Sequence, residues 1–286
     1  MMDGGGRKTR EQARASVLTM GQHLALAGTQ AFFGALTGAI RLARGSHPDG
    51  WATVRYGLHR EEILDHMNPA PQVQARIPVV YFHGGGWMMG TKDFYSHDLL
   101  FLASAGHPVF NVEYPKAPEH PHPWMLRSVF KALAFIKANF PDAQRVHLMG
   151  DSAGGNLAVM AGILGLNPEL LAVVDPDRAV SDLPEVLSVT SIYGVMDRQT
   201  CLQPNIPVGA TMLEAYGGPQ ALEEEVEAAY AITPQDLRFA KHPPTFLTVG
   251  AWDPLQAENE VYAARLEREG HAVKIKVYDK ATHGYF

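Results

Sequence analysis

Short apolar runs alternate with stretches of helical periodicity over most of the chain. Runs of this kind that are bounded by Gly, Pro or polar residues are typical of buried strands. Helical periodicity is clearest over residues 124–140 and 157–164. Strands that alternate with helices predict an α/β fold, in which helices flank a mostly parallel central sheet. The predicted strands cover residues 51–58, 77–82, 108–114, 145–149, 186–193, 245–249 and 273–278.

Two segments interrupt this alternation. Residues 195–241 lack strand character, and residues 213–231 within them are predicted to be helical. The acidic run at residues 223–225 is typical of a solvated helix face. Residues 13–43 are rich in Ala, Leu, Phe and Gly, contain no acidic residue and follow a polar tail. We expect two amphipathic helices there, with association to a membrane surface as the alternative.

The length of the chain, 286 residues, is enough for one large core with an attached cap. Hydrophobic residues make up 46% of the chain and charged residues 19%, which indicates a globular protein. The predicted organisation is an N-terminal tail with cap helices, a first part of the core, a cap insertion and a second part of the core, over residues 1–50, 51–194, 195–241 and 242–286.

Charge and cysteine content narrow the choice of partners and compartment. The formal net charge is -6, which argues against a nucleic-acid partner because binding to phosphates requires a basic face. The single cysteine, Cys201, excludes an intrachain disulfide and has no metal-binding spacing around it. A chain without disulfides favours the cytoplasm.

A Gly-x-Ser-x-Gly motif centred on Ser152 lies between the predicted strand at residues 145–149 and the predicted helix at residues 157–164. Between a strand and a helix, this motif is the nucleophile elbow. Glycines on either side of the serine allow a sharp backbone turn without a Cβ clash. Ser152 would then be exposed at a helix N-terminus, where backbone N–H groups favour developing negative charge.

Three successive glycines, Gly84 to Gly86, follow the predicted strand at residues 77–82. Such a run leaves backbone N–H groups accessible, as an oxyanion hole requires. A phosphate-binding loop is the alternative, but the spacing of the glycines and the absence of a following Lys-Ser/Thr argue against it. The apolar residues after the glycines could line an acyl pocket, namely Trp87, Met88 and Met89.

Ser152, Asp253 and His283 each follow a predicted strand, in the chain order Ser…Asp…His of α/β-hydrolases. A histidine of near-neutral pKa can take the serine proton, and a carboxylate can fix the tautomer of that histidine. Asp279 and Asp197 are alternatives for the acid. Asp253 is favoured because it comes directly after a strongly apolar strand and is followed by a proline.

These motifs resemble those of the hormone-sensitive lipase family of α/β-hydrolases, from about Arg55 to the end of the chain. The segment at residues 113–121 is similar to another motif of that family, from which Pro115 and Lys116 depart. The stretches that match are His83-Gly84-Gly85-Gly86-Trp87, Gly150 to Asn156, Asp253-Pro254-Leu255 and His283-Gly284.

The resemblance implies a carboxylic ester hydrolase that needs no metal or organic cofactor and acts on small-molecule acyl esters. It implies that Ser152 attacks the ester, that His283 transfers the proton and that Asp253 is the acid. The backbone N–H groups of Gly84, Gly85 and Ala153 would form the oxyanion hole. The N-terminal helices and residues 195–241 would form the cap, and a homodimer through the last strand is an option in this family.

The resemblance is incomplete at the C-terminus, and it leaves other functions open. Family members usually continue with a helix after the histidine loop, whereas this sequence ends at Phe286, so we expect either a truncated sequence or a missing helix. An amidase of the arylformamidase type is the second enzymatic hypothesis, because Tyr56-Gly57 and Leu64-Asp65 resemble that relative. A catalytically inactive binding protein on the same fold is the third.

Overall fold

The computed structural model describes residues 27–28, 31, 35, 48–174, 182–206 and 208–286. The two amphipathic helices predicted within residues 13–43 lie almost entirely outside these ranges. The strands are β1 (Ala52–Arg55), β2 (Ile63–Met67), β3 (Val79–Phe82), β4 (Val109–Val112), β5 (Arg145–Asp151), β6 (Glu185–Ile192), β7 (Thr245–Gly250) and β8 (Val273–Tyr278). The helices are α1 (Leu100–Ser104), α2 (Trp124–Asn139), α3 (Ala153–Leu166), α4 (Pro168–Val174), α5 (Arg198–Cys201), α6 (Gly209–Gly217) and α7 (Gln256–Arg268).

The strands form one 8-stranded sheet in the order β1-β2-β4-β3-β5-β6-β7-β8. The β1–β2 and β2–β4 pairs are antiparallel, and all pairs from β4 to β8 are parallel. The central strands β3 and β4 are buried at every position, as expected for strands covered by helices on both faces. The predicted α/β fold with a mostly parallel sheet is confirmed.

Strand β2 was not predicted from the sequence, because Asp65 interrupts its apolar pattern. The structure buries that carboxylate completely. Asp65 accepts hydrogen bonds from Lys92 Nζ at 2.7 Å and from Thr53 Oγ1 at 2.6 Å. A buried charge is tolerated when it is paired in this way, so a strand with a charged residue in its middle still packs into the core.

The predicted helix over residues 213–231 is wrong in most of its length. Helix α6 ends at Gly217, and Gly218 and Pro219 follow it and lead into short 3-10 turns. The side chains of the acidic run are exposed, although not on a helix. The buried guanidinium of Arg198 donates hydrogen bonds to backbone carbonyls of this run and to Asp236 Oδ1. A buried arginine therefore holds together a segment that lacks regular structure.

No helix within the described ranges is long and apolar enough to cross a membrane.

Candidate active site

The turn between β5 and α3 places Ser152 at the carboxyl end of the sheet. Ser152 has φ 49° and ψ −121°, a left-handed backbone that non-glycine residues adopt mainly at functional turns. A Cβ on Gly150 would collide with the backbone of Gly154 across the turn, and a Cβ on Gly154 would collide with the backbone of Phe82 and His83 at the end of β3. The two flanking glycines are therefore sterically required, and the tight turn leaves the serine side chain open to the cavity.

The structure brings Ser152, His283 and Asp253 into a hydrogen-bonded series. Ser152 Oγ lies 3.0 Å from His283 Nε2. His283 Nδ1 lies 2.9 Å from Asp253 Oδ2, and the other oxygen of this carboxylate accepts the backbone N–H of Leu255 at 2.9 Å. The Asp253 side chain is fully buried, whereas that of His283 is 39% exposed. This is the arrangement in which a histidine can take the serine proton while a carboxylate steadies the ring.

The alternative acids lie elsewhere. Asp197 Oδ1 accepts the backbone N–H of Gln199 and so caps helix α5. Asp279 is exposed in the turn after β8. Of the three carboxylates weighed from the sequence, the one that contacts His283 is Asp253.

Aromatic side chains support the loop that carries His283, and no sequence motif predicted them. The ring of Tyr193, at the end of β6, lies 4.7 Å from the imidazole, centroid to centroid. Tyr285 packs against Tyr193 at 4.9 Å, and its hydroxyl is hydrogen-bonded to Thr248 on β7. These contacts join residues that are far apart in sequence, so only the tertiary structure reveals them.

The glycine loop after β3 lies beside Ser152, but the role predicted for Gly84 needs correction. The backbone N–H of Gly84 donates a 2.6 Å hydrogen bond to Asp151 Oδ1, so it is not available to an oxyanion. Within the described part of the chain, no acceptor binds the N–H groups of Gly85 and Gly86. Ala153 is the first residue of α3, where backbone N–H groups have no intrahelical partner. The geometry therefore favours Gly86 in place of Gly84.

Buried side chains hold His83, the residue directly before the three glycines, in place. His83 Nε2 lies 3.0 Å from Glu113 Oε1, and Lys116 Nζ donates to the same oxygen at 2.5 Å. Burial raises the pKa of Glu113, but its electrostatic interactions and hydrogen bonds with His83 and Lys116 outweigh burial and bring the pKa well below its usual range. The ring of Tyr114 stacks on that of His83 at 4.4 Å.

A cavity of about 490 Å³ opens at Ser152 and His283. Of the predicted pocket residues, Trp87 and Met89 line it, whereas Met88 is buried in the core and does not. The segment 195–241 supplies one wall, for which the sequence contained no motif. The apolar side chains of that wall come from Val195, Cys201, Ile206, Val208 and Met212. Burial raises the pKa of the Cys201 thiol to about 12, so this cysteine is an apolar lining residue.

Fold and site together define the class of the protein. A serine, a histidine and a carboxylate at the carboxyl ends of parallel strands, with a glycine loop beside them, are the arrangement of serine hydrolases on an α/β sheet. A family model described as the alpha/beta hydrolase fold matches residues 79–286.

Comparisons with individual proteins agree with this class. The carboxylesterase NlhH of Mycobacterium tuberculosis is 29% identical over 228 residues, which is 75% of this chain and 68% of that protein. An ethyl acetate hydrolase of Pseudomonas putida is 30% identical over 234 residues, or 74% and 66% of the two chains. The crystal structure of esterase B from Lactobacillus rhamnosis shares the fold, with a TM-score of 0.79, 21% identity and coverage of 93% and 89%.

The protein belongs to the hormone-sensitive lipase-like esterases of the α/β-hydrolase fold, and the family predicted from its motifs is confirmed. The chemistry of this family is the hydrolysis of carboxylic esters through an acyl-enzyme.

Proposed function

We propose that the protein hydrolyses short- to medium-chain acyl esters of small alcohols, with Ser152 as the nucleophile. The observation that carries the proposal is the pair of contacts at His283, 3.0 Å to Ser152 Oγ and 2.9 Å to Asp253 Oδ2. Nucleophile and base at hydrogen-bond distance, with the base oriented by a third group, are the requirement for covalent acyl transfer.

In the proposed reaction His283 Nε2 takes the proton of Ser152 Oγ as the oxygen adds to the ester carbonyl. The resulting oxyanion lies against the N–H groups of Gly85, Gly86 and Ala153. Collapse of this intermediate breaks the bond to the alcohol, whose oxygen receives the proton from His283. Water then adds to the acyl-enzyme, with His283 again as the base, and releases the carboxylic acid.

The size and lining of the cavity support a small-molecule ester. A volume of about 490 Å³ falls within the range of roughly 300–1,000 Å³ that is usual for small-molecule sites. The walls are mostly apolar, with methionines at Met89 and Met212, and such flexible side chains adapt to acyl chains of different shape. The relative named ethyl acetate hydrolase is consistent with short acyl chains.

The test is hydrolysis of p-nitrophenyl esters from acetate to palmitate by the wild type, Ser152→Ala and the control Ser104→Ala. Ser104 is exposed on α1, and its hydroxyl donates to Leu100 O of the same helix at 3.0 Å. We expect a maximum at short or medium chains and a fall in kcat of about 10⁴-fold or more for Ser152→Ala, with Ser104→Ala at the wild-type rate. A folded wild type without activity on any ester, or an active Ser152→Ala, would refute the proposal.

A further inference from the structure

Asp151, the residue directly before the nucleophile, is a buried carboxylate that the reaction as written does not use. It is 4% exposed and borders the active-site cavity. Three donors converge on it, namely the hydroxyls of Tyr81 and Tyr95 and the backbone N–H of Gly84. Burying a carboxylate is costly unless it is fully hydrogen-bonded, so its place beside the nucleophile calls for a functional explanation.

The contacts of Asp151 divide between its two oxygens. Oδ1 accepts both the Tyr81 hydroxyl and the Gly84 N–H, each at 2.6 Å. Oδ2 accepts the Tyr95 hydroxyl at 2.8 Å. A Cβ on Gly84 would overlap Oδ2, so the loop approaches the carboxylate as closely as a glycine permits. The bond to Gly84 therefore links the strand that ends at the nucleophile to the loop after β3.

The loop that starts at this bond carries the proposed oxyanion donors. After Gly84 the chain turns sharply, and the Gly85 carbonyl accepts the N–H groups of Met88 at 3.1 Å and Met89 at 3.0 Å. These bonds close the turn. Within the described ranges, the N–H groups of Gly85 and Gly86 themselves have no acceptor. The position of both donors relative to Ser152 thus depends on a bond made by the residue next to Ser152.

We propose that Asp151 is a positioning residue, which holds the oxyanion-binding N–H groups of Gly85 and Gly86 in register with Ser152. This inference rests on the proposed function. A displacement of about 1 Å at a reacting centre costs on the order of 10²-fold in rate, and loss of one oxyanion donor costs about 10²- to 10³-fold in kcat. The effect falls on the transition state, because the ester carbonyl acquires its negative charge only there.

The chemistry of the side chain makes this role separable from a structural one. Both Gly84 and Tyr81 donate to Oδ1, and an asparagine amide oxygen can accept both bonds in the same place. Asp151→Asn therefore keeps the link to the loop, whereas Asp151→Ala removes it. Asn167 is a matched control at the end of α3, because its buried Oδ1 also accepts loop N–H groups, those of Ala240 and Lys241.

The experiment compares kcat, KM and thermal unfolding for the wild type, Asp151→Ala, Asp151→Asn and Asn167→Ala with p-nitrophenyl butyrate. We expect Asp151→Ala to lose about 100-fold in kcat with KM within about three-fold. Asp151→Asn should retain at least about one third of kcat. Asn167→Ala should lower the melting temperature about as much as Asp151→Ala does, but it should keep the wild-type kcat. A trifluoromethyl ketone that forms a tetrahedral oxyanion adduct should bind Asp151→Ala about 100-fold more weakly.

The inference is overturned if Asp151→Ala keeps kcat within about three-fold, if Asp151→Asn loses as much as Asp151→Ala, or if Asn167→Ala loses as much kcat as Asp151→Ala. If Asp151→Ala does not fold, Asp151→Ser replaces it, since a serine hydroxyl is too short to reach Gly84, and the same expectations apply. Absence of ester hydrolysis in the wild type would instead refute the proposed function, so the two failures are distinguishable.

Discussion

At the scale of single residues, two buried carboxylates, Asp151 and Glu113, hold the glycine loop in place. Asp151 contacts the loop from the side of Ser152, and burial raises its pKa although hydrogen bonds from Tyr81 and Tyr95 act in the opposite direction. Glu113 contacts His83 at the start of the loop and also accepts the backbone N–H of Lys92 at 3.0 Å. The two carboxylates differ in their partners, because Glu113 pairs with the ammonium of Lys116, whereas the three donors to Asp151 are neutral.

Replacement of Glu113 by Gln tests the buried ion pair. We expect Glu113→Gln to lower the free energy of unfolding at pH 7 by about 3 kcal/mol, because it leaves the buried ammonium of Lys116 without its buried counter-charge. Since the folded pKa of Glu113 is depressed, its contribution is present above the unfolded pKa and is lost as pH falls through the acid range. Urea unfolding from pH 7 to pH 3 measures both effects.

Glu61→Gln is the control for this measurement. Glu61 also pairs with Lys116, at 3.1 Å, but its side chain is 29% exposed. Exposed and half-exposed pairs contribute about 0–1 kcal/mol, so this variant should change the unfolding free energy little. Equal effects of the two substitutions would contradict a special role for the buried pair.

At the level of elements, a buried glutamate of helix α7 contacts the entry of the segment 195–241. Glu258 Oε1 accepts the backbone N–H of Met196 at 2.7 Å. Burial, with a smaller contribution from the like charge of Asp197, raises the pKa of Glu258 to about 8, although hydrogen bonds from Thr200 and from the backbone oppose the shift. With a pKa of about 8, Glu258 is mostly protonated at pH 7.

The raised pKa predicts a dependence of stability on pH. Between about pH 4.5 and pH 8 the folded protein keeps a proton that the unfolded chain has lost, so rising pH favours unfolding. Glu258→Gln stays neutral at every pH and keeps the acceptor for Met196. We expect the unfolding free energy of Glu258→Gln relative to wild type to rise by about 1 kcal/mol per pH unit in this window.

Urea unfolding at pH 5, 6, 7 and 8 measures this difference, with Glu260→Gln as the control. Glu260 is exposed on the same helix, and its replacement should leave the difference from wild type independent of pH. If the unfolding free energies of Glu258→Gln and wild type change in parallel from pH 5 to pH 8, the raised pKa of Glu258 is contradicted.

At the level of the whole molecule, the substrate cavity lies between the carboxyl ends of the strands and the segment 195–241. Met212 on α6 reaches across to the glycine loop, and a Cβ on Gly86 would lie 2.6 Å from its sulfur. The acyl chain of a bound ester would therefore compete with this side chain for space. The predicted division into core and cap, the cytoplasmic location and the homodimer remain predictions of the sequence.

Met212→Ala tests whether this contact limits the acyl chain. The shorter side chain enlarges the cavity beside the glycine loop, and one methylene in an apolar pocket is worth roughly 1–3 kcal/mol. We expect the ratio of kcat/KM for octanoate to that for butyrate to rise about ten-fold, measured with the p-nitrophenyl esters. Met160→Ala is the control, because Met160 is buried in α3 and does not line the cavity. An unchanged ratio in Met212→Ala would refute the inference that Met212 limits the acyl chain.

The sequence alone determined the fold class, the family and the candidate triad, because these depend on local patterns. Apolar runs between turn residues identified most strands, and the glycines around Ser152 identified the elbow, since only glycine fits so tight a turn. Their positions after strands placed Asp253 and His283 at the same edge of the sheet as Ser152, because parallel strands bring their carboxyl ends together there. The strongly apolar strand before Asp253, the proline after it and the family motif favoured it over Asp279 and Asp197.

Other features were decided only by contacts between distant segments. The Gly84 N–H could not be known to bind Asp151, because 67 positions separate the two residues and nothing in the glycine run distinguishes one donor from the next. Strand β2 was hidden by Asp65, whose charge is neutralised by Lys92 from another segment. The wall of the cavity likewise depends on how residues 195–241 fold over the sheet. Local sequence specifies the backbone turn at each strand end, whereas the partner that satisfies a buried polar group is fixed only when the chain packs.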